Sequence, residues 1–190
     1  MPHRDGGVRE VELRPAIRAD VTNWTTTWLP EILGHRADAS WDWGAELTTA
    51  DALGHLCLVL SWEGQTEALL SVSDDGAELS RIDRMSRLLY VERLAVAPWN
   101  DSIFLRARGG GQRPEFRGLG SLLIEAAIEL AIRAGHDGRI GLHAEETAIE
   151  WYRDRLGMRP FEREQYSDGE WLYFEGDPVW AQARLREGKP

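Results

Sequence analysis

The amino-acid sequence predicts a mixed α/β (α+β) fold in which helices pack on a central sheet. Strand-like apolar runs alternate along the chain with segments of helical periodicity. Two pairs of apolar runs also flank short polar turns, "EGQ" in the first half and "SDG" near the end, as in β-hairpins. With 190 residues the chain is long enough for one domain with a sizeable core.

The first third is predicted to hold a strand, two helices and a hairpin. Val8, Val11 and Leu13 alternate with charged residues, as in a half-buried strand. Asp20 is a candidate cap for the first helix. That helix is expected to bury one face, whose members recur every four residues: Trp24, Trp28 and Ile32.

The middle of the chain reads as a strand, "LYVERLAVAP", then a long loop, Trp99–Arg117, and an amphipathic helix. The predicted apolar face of that helix consists of Leu119, Leu122, Leu123, Ala126 and Leu130. A short buried strand, "GRIGLHA", a helix ending at Gly157, a hairpin and a terminal helix follow.

Composition limits the function classes. The hydrophobic fraction of 43% argues against disorder. The net charge of −10 disfavours nucleic acid as a partner and favours an amine-bearing one. No signal peptide or membrane span is apparent, and the single cysteine, Cys57, reads as a core residue of a cytoplasmic protein. His35, His55 and His136 lack metal-ligand spacing, so no metal is predicted.

The segment "GGGQRPEFRGLG" at the start of the central helix is the candidate binding motif. Gly118 and Gly120 would let an anion approach the unpaired amides of the first helical turn. The local charge is reversed, because four arginines (Arg106, Arg108, Arg113 and Arg117) accompany one acid, Glu115. A plain flexible turn is the alternative. The P-loop and dinucleotide patterns are both absent.

Three segments in a fixed order, "VERLAVAP", "EFRGLGSLLIEAAIELA" and "RIGLHAEETAIEWYRDRLGMRPF", resemble the GCN5-related N-acetyltransferase (GNAT) superfamily. The resemblance covers roughly Tyr90 to Phe161 and implies a mixed, mostly antiparallel central sheet flanked by helices. It implies one domain over 1–190, with a CoA-binding core at about 88–161, an acceptor-side part at about 8–75 and a hairpin and helix at 158–187. Acetyl-CoA would be the co-substrate.

The resemblance also implies roles for individual residues. Leu94, Ala95 and Val96 would line the pantetheine arm of acetyl-CoA, and Tyr152 would protonate the leaving thiolate. The pyrophosphate would be held by backbone N–H groups of one turn: Phe116, Arg117, Gly118, Leu119, Gly120 and Ser121. Two positions depart from the family pattern, since Glu115 replaces Gln or Arg and Glu145 replaces a frequent asparagine.

Several side chains have two readings. Glu92 shares a strand face with Leu94 and Val96, which suits either a general base, directly or through water, or a salt bridge. Tyr152 could be a core aromatic instead of an acid, and His143 a structural histidine instead of a second base. The tryptophans Trp24, Trp28, Trp41 and Trp43 could wall a cationic acceptor or fill the core.

The resulting hypothesis is an acetyl-CoA-dependent N-acetyltransferase that acts by direct attack on a primary amine of a small molecule or protein. No Cys or Ser lies in a triad-like setting that would suggest a covalent intermediate. The alternatives are an acyl-CoA-binding module without catalysis and a toxin-like aminoacyl-tRNA acetyltransferase. A homodimer stays open, and neither membrane nor nucleic acid is expected as a partner.

Overall fold

Seven strands form the sheet of the computed structural model, which describes residues 1–53, 55–75, 78–109, 111–166 and 169–187. The strands are β1 (Glu12–Pro15), β2 (Leu56–Trp62), β3 (Gln65–Ser73), β4 (Leu89–Val96), β5 (Ile140–Ala144), β6 (Arg159–Tyr166) and β7 (Gly169–Gly176). Their order is β1-β2-β3-β4-β5-β7-β6. β4 and β5 are parallel, whereas β1–β2, β5–β7 and β6–β7 are antiparallel. The predicted mixed sheet is therefore confirmed.

Six α-helices accompany these strands in the described ranges: α1 (Arg18–Asn23), α2 (Leu29–Ile32), α3 (Trp43–Leu53), α4 (Ser102–Ala107), α5 (Leu119–Arg133) and α6 (Pro178–Glu187). π-helical segments occupy Trp24–Trp28, between α1 and α2, and Trp151–Arg155. None of the helices in the described ranges has the length and apolarity needed to cross a bilayer.

The chain divides into two compact units. Unit 1 comprises Met1–Ser71 and Arg93–Leu123, and unit 2 comprises Val72–Glu92 and Ile124–Pro190. The predicted organisation as a single acyltransferase domain stays a prediction.

The core of unit 1 is built on the aromatic face of the α1–α2 region. Trp24, Trp28 and Ile32 are all buried, as their spacing predicts. They share one apolar cluster with Trp43 and with Val59 of β2. Trp28 also donates its indole N–H to the Thr66 carbonyl at 3.2 Å, which ties the helix to β3.

The sequence predicts Asp20 as the N-cap of α1, but the N-cap in the structure is Ile17. Asp20 occupies the third helical position, and its carboxylate accepts the backbone N–H of Ile17 at 2.8 Å. Arg14 donates to both carboxylate oxygens, at 2.7 and 2.9 Å. Asp20 therefore accepts the N–H of the N-cap residue from the third helical position. In a capping box that position is usually occupied by Glu or Gln.

The strand predicted over "VREVELRPAI" (8–17) forms only in part, as β1, which includes Leu13 but neither Val8 nor Val11. β1 begins at Glu12, and the exposed fractions of Val8 and Leu13 are 79% and 43%. Instead, the first residues form a local loop, in which Arg9 donates its backbone N–H to the Met1 carbonyl at 2.9 Å. Polar–apolar alternation alone did not distinguish this loop from a strand.

Both predicted hairpins form. Glu63 and Gly64 join β2 to β3 with φ values of 48° and 81°, a left-handed pair that suits a two-residue hairpin turn. β6 and β7 pair antiparallel, from Arg159 opposite Glu175 to Tyr166 opposite Gly169. Ser167 and Asp168, the predicted turn of the second hairpin, lie outside the described residues.

α5 is buried over a broader face than predicted. Leu119, Leu123 and Ala126 are buried as expected, while Leu122 and Leu130 are only half-buried. The other buried positions of α5 are Ile124, Ala127, Ile128 and Ala131.

Candidate functional site

The turn into α5, in unit 1, contains consecutive backbone amides next to two exposed residues. Gly118 has φ +82°, and both it and Arg117 are exposed. The Leu122 N–H donates to the Gly118 carbonyl at 3.0 Å, which is the first α-helical hydrogen bond. The N–H groups of Leu119, Gly120 and Ser121 precede that bond, so they have no α-helical acceptor. Their partial positive charge, with the helix dipole, makes this turn suited to an anion.

Two of the six predicted phosphate-binding amides are already engaged. Phe116 donates its N–H to Asn100 Oδ1 at 2.8 Å. Arg117 donates its N–H to the Pro2 carbonyl at 3.3 Å. The turn that remains for an external anion therefore runs from Gly118 to Ser121.

The N-terminal segment packs against this turn and explains why Glu115 stands there. The Glu115 carbonyl accepts the Arg4 N–H at 2.8 Å, and its carboxylate lies 3.5 Å from His3 Nε2 and 3.6 Å from Arg4. The His3 ring also packs on Phe116 and Trp62, at 5.1 and 5.5 Å between centroids. Glu115 thus contacts the N-terminal segment of the same chain and does not serve as a phosphate ligand. Sequence reasoning missed this role, because no local pattern links residues more than a hundred positions apart.

A buried polar network supports the same turn. Glu67 is fully buried, and its Oε2 accepts the Trp99 indole N–H at 2.7 Å and the Asn100 amide at 2.5 Å. Asn100 in turn accepts the Phe116 N–H. Glu67 Oε1 has no hydrogen-bond partner within the described residues. Burial raises the pKa of the Glu67 carboxyl to about 7.

The stretch predicted as a long loop contains α4. Asp101 caps this helix, since its Oδ1 accepts the backbone N–H groups of Ile103 and Phe104 at 2.8 and 3.1 Å. Arg108, after the helix, is paired with Glu31. The local excess of positive charge counted from the sequence is therefore partly neutralised by a distant acid.

The β4 residues expected to line pantetheine differ in exposure. Ala95 is buried, whereas Leu94 and Val96 are half-buried, as is Glu92. The Val96 carbonyl already accepts an Arg36 guanidinium N–H at 3.1 Å. The parallel ladder of β4 with β5 consists of three pairs and ends at Val91 and Leu142, although β4 runs on to Val96.

Glu92 has a hydroxyl partner in unit 2. Ser73 Oγ donates to Glu92 Oε1 at 2.7 Å, so the carboxylate is anchored by a neutral donor from β3. Such an anchor orients the carboxylate without neutralising its charge.

Tyr152 lies in the π-helical segment and is 7% exposed. Its ring packs on Trp151 and Phe174, at 4.8 and 5.7 Å between centroids. Burial raises the pKa of the hydroxyl, and the nearby negative charge of Glu145 raises it further. The phenol is therefore neutral at physiological pH, which leaves its proton available for donation.

His143 belongs to a polar cluster that the sequence does not reveal. Tyr90 Oη lies 2.5 Å from its Nδ1, and Glu164 Oε2 lies 3.3 Å from its Nε2. Neither Tyr90 nor Glu164 lies in a sequence motif that would mark it as a partner of His143. Within the described residues no group of three or more His, Cys, Asp or Glu side chains is arranged to hold a metal ion.

The fold defined by these elements is that of the GCN5-related N-acetyltransferases, on the likeness to solved structures. The yncA protein of Salmonella typhimurium, solved with its cofactor acetyl-CoA, is 19% identical over 90% of this chain and 95% of that chain, with a TM-score of 0.55. A GCN5-related N-acetyltransferase from Rhodopseudomonas palustris is 17% identical over 90% and 99%, with a TM-score of 0.53.

The aminoglycoside acetyltransferase AAC(6')-Ib, in complex with coenzyme A, is 17% identical over 93% of this chain and 99% of that chain, with a TM-score of 0.56. No family model matches the chain, and no curated protein is significantly similar to it in sequence. At these identities the likeness establishes the fold alone.

Proposed function

We propose that the protein is an acetyl-CoA-dependent N-acetyltransferase that transfers an acetyl group to a primary amine of a small molecule or a protein. The observation that carries the proposal is the turn from Gly118 to Ser121, which starts at an exposed glycine and opens α5 in a GNAT fold. Similar structures that contain acetyl-CoA or coenzyme A support this choice of co-substrate.

In this proposal the amides from Gly118 to Ser121 hold the pyrophosphate, helped by the α5 dipole. The side chain of Arg117 is exposed and available to the same phosphates. The backbone of Leu94 and Ala95 carries the pantetheine arm. When bound, acetyl-CoA supplies an acyl group already activated as a thioester. No protein nucleophile is required, so the amine attacks directly.

Glu92 is the proposed base. An amine acceptor is mostly an ammonium ion at neutral pH and must lose a proton before it attacks. A half-buried carboxylate held by Ser73 is suited to attract that cation and to take the proton directly or through water.

Tyr152 is the proposed acid, and the difference between its pKa and that of the leaving thiol determines how it can act. A phenol of ordinary pKa, about 10, gives its proton to a thiolate of about 8.5 uphill by roughly 2 kcal/mol. Burial raises the pKa of Tyr152 and increases that cost. Full proton transfer is therefore uphill even to a complete thiolate, so the hydroxyl would act late, by hydrogen bonding to the negative charge that develops on the departing sulfur.

The test is thiol release from acetyl-CoA across a panel of amines, with Tyr152→Phe as the key variant. We expect kcat to fall about 10²-fold while the Kd for CoA is unchanged. Tyr173→Phe is the matched control, because Tyr173 is also buried and its pKa is also raised by burial. Equal rates for wild type and Tyr152→Phe would remove the acid role.

Tight CoA binding without thiol release on any amine would instead support an acyl-CoA-binding module. Binding of tRNA at physiological salt would revive the toxin-like alternative. A cytoplasmic location remains part of the proposal.

A further inference from the structure

Tyr90, His143 and Glu164 form one hydrogen-bonded chain across unit 2. They come from β4, β5 and β6, and their spacings are 2.5 Å from Tyr90 Oη to His143 Nδ1 and 3.3 Å from His143 Nε2 to Glu164 Oε2. The sheet register places Tyr90 opposite Gly141, two residues before His143 and on the same face. Three strands distant in sequence thus converge on a single imidazole.

The direction of each hydrogen bond follows from the protonation states. Burial raises the pKa of the Tyr90 hydroxyl, so it is neutral and donates. Burial lowers the pKa of His143, so the imidazole is neutral at physiological pH. With Nδ1 accepting from Tyr90, the ring proton must sit on Nε2, where it is donated to Glu164. Hydrogen bonding from Arg81 lowers the pKa of the Glu164 carboxyl and keeps it an acceptor.

Other groups around the imidazole set the balance. Tyr166 Oη lies 3.3 Å from His143 Nε2, and the Tyr173 ring packs 4.9 Å from the imidazole. Arg81 disfavours an imidazolium, whereas Glu78 and Glu164 favour one. When a neutral histidine has a carboxylate on one side and a hydroxyl on the other, the imidazole can take the hydroxyl proton and the carboxylate stabilises the imidazolium that forms.

We infer that the Tyr90–His143–Glu164 chain receives the proton lost by the amine acceptor, a role that rests on the proposed N-acetyltransferase function. Tyr90 and Glu92 lie two residues apart on one face of β4, and the negative charge of Glu92 acts on the Tyr90 hydroxyl.

The proton balance is complete. The ammonium N–H bond breaks and its proton passes to the Glu92 carboxylate. Glu92 then passes that proton, directly or through a bridging water, to Tyr90 Oη as the phenolic proton moves to His143 Nδ1. The amine is left neutral with its lone pair, Glu92 and Tyr90 return to their starting states, and the imidazolium is stabilised by Glu164. His143 returns to neutral by releasing its Nε2 proton to water, which reaches the partly exposed Glu164 and Tyr166 side chains. The Nδ1–H imidazole then regains the starting Nε2–H tautomer by taking up a proton from water at Nε2 and releasing the Nδ1 proton to water through the Tyr90 hydroxyl.

Two variants test the inference by their pH profiles. In His143→Gln and Tyr90→Phe we expect kcat near neutral pH to fall about 10²-fold. The deficit should shrink as pH rises, because more of the acceptor is then already deprotonated. Kd for CoA should not change. His136→Gln is the matched control, since His136 is also buried and paired with a carboxylate, Asp74, at 2.7 Å.

A merely structural role gives a different result: a loss of rate that is equal at every pH, or a loss of CoA affinity. Either result, or rates equal to wild type, overturns the inference.

A second measurement does not depend on activity. In ¹⁵N NMR of the ligand-free wild-type protein at pH 7.5, we expect His143 to be neutral with its proton on Nε2, and the Nδ1 resonance to move in Tyr90→Phe. A protonated Nδ1 in the wild type overturns the chain. If this tautomer is found but no amine is acetylated, the proposed function fails while the hydrogen-bonded chain stands, so the two failures are distinguishable.

Discussion

At the scale of single residues, Glu67 shows how a buried acid can support the turn into α5 indirectly. It does not face the turn itself; it fixes Asn100, which fixes the Phe116 amide. Two donors converge on Oε2, while Oε1 has no partner among the described residues. The two hydrogen bonds do not make up for the hydration that the ionised carboxylate loses on burial, and the pKa of Glu67 is raised for that reason.

This residue should make stability fall as pH rises. Because the folded-state pKa of Glu67 is about 7 against an ordinary 4.5, the folded protein keeps a proton between those values that the unfolded chain loses. The stabilisation is present below pH 4.5 and is lost as pH rises through 7. The window corresponds to about 3 kcal/mol of unfolding free energy.

Glu67→Gln removes this titration. Urea unfolding at pH 5 and pH 8 should show that the wild type loses roughly 2 to 3 kcal/mol more than the variant over that interval. Glu129→Gln, at an exposed position of α5, is the control and should follow the wild type. Parallel pH profiles for wild type and Glu67→Gln would show that the carboxyl titrates normally.

At the scale of elements, two glycines with similar backbone conformations allow the cost of backbone strain to be measured separately from the effect on ligand binding. Gly118 and Gly34 have φ of +82° and +77°, and a side chain at either position would meet no close contact below 3.4 Å. A substitution at each therefore costs mainly the left-handed conformation, on the order of 1 kcal/mol. Only Gly118 begins the proposed pyrophosphate turn.

Gly118→Ala and Gly34→Ala should thus lose similar unfolding free energy but differ in ligand affinity. We expect calorimetry to show about tenfold weaker CoA binding for Gly118→Ala, because a methyl group at the turn restricts the approach of the pyrophosphate. Pantetheine, which lacks that pyrophosphate, should bind both variants alike. Equal CoA affinity in the two variants would place the phosphates elsewhere.

At the scale of the whole molecule, the sequence predicts features that local spacing encodes. The buried Trp24, Trp28 and Ile32 follow from one helical period, whereas the positive φ of Gly118 was not predicted from the sequence. The sheet class follows from alternating elements and two hairpins.

What the sequence does not predict depends on contacts between distant segments. Tyr90 and His143 are 53 positions apart, and their 2.5 Å contact depends on the β4–β5 register. The packing of His3 on Phe116 likewise has no local signature. The alternation that starts at Val8 predicted a strand from that residue, but the structure has an exposed loop there and β1 begins only at Glu12, because a periodic pattern does not specify which partner it meets.

The net charge of −10 leads to a prediction for the complete protein. A negative field attracts a cationic acceptor and repels the anionic acetyl-CoA, and salt screens both effects as the Debye length falls from about 30 Å at 0.01 M to about 8 Å at 0.15 M. For a polyamine acceptor, kcat/KM should therefore fall several-fold over that range of ionic strength. For acetyl-CoA, kcat/KM should stay constant or rise, because the long-range repulsion is screened while the short contacts proposed at the α5 turn persist.

A monoamine acceptor serves as the control and should respond less than the polyamine. If kcat/KM for both substrates fell in parallel, the salt effect would lie in the protein's conformation and not in its field.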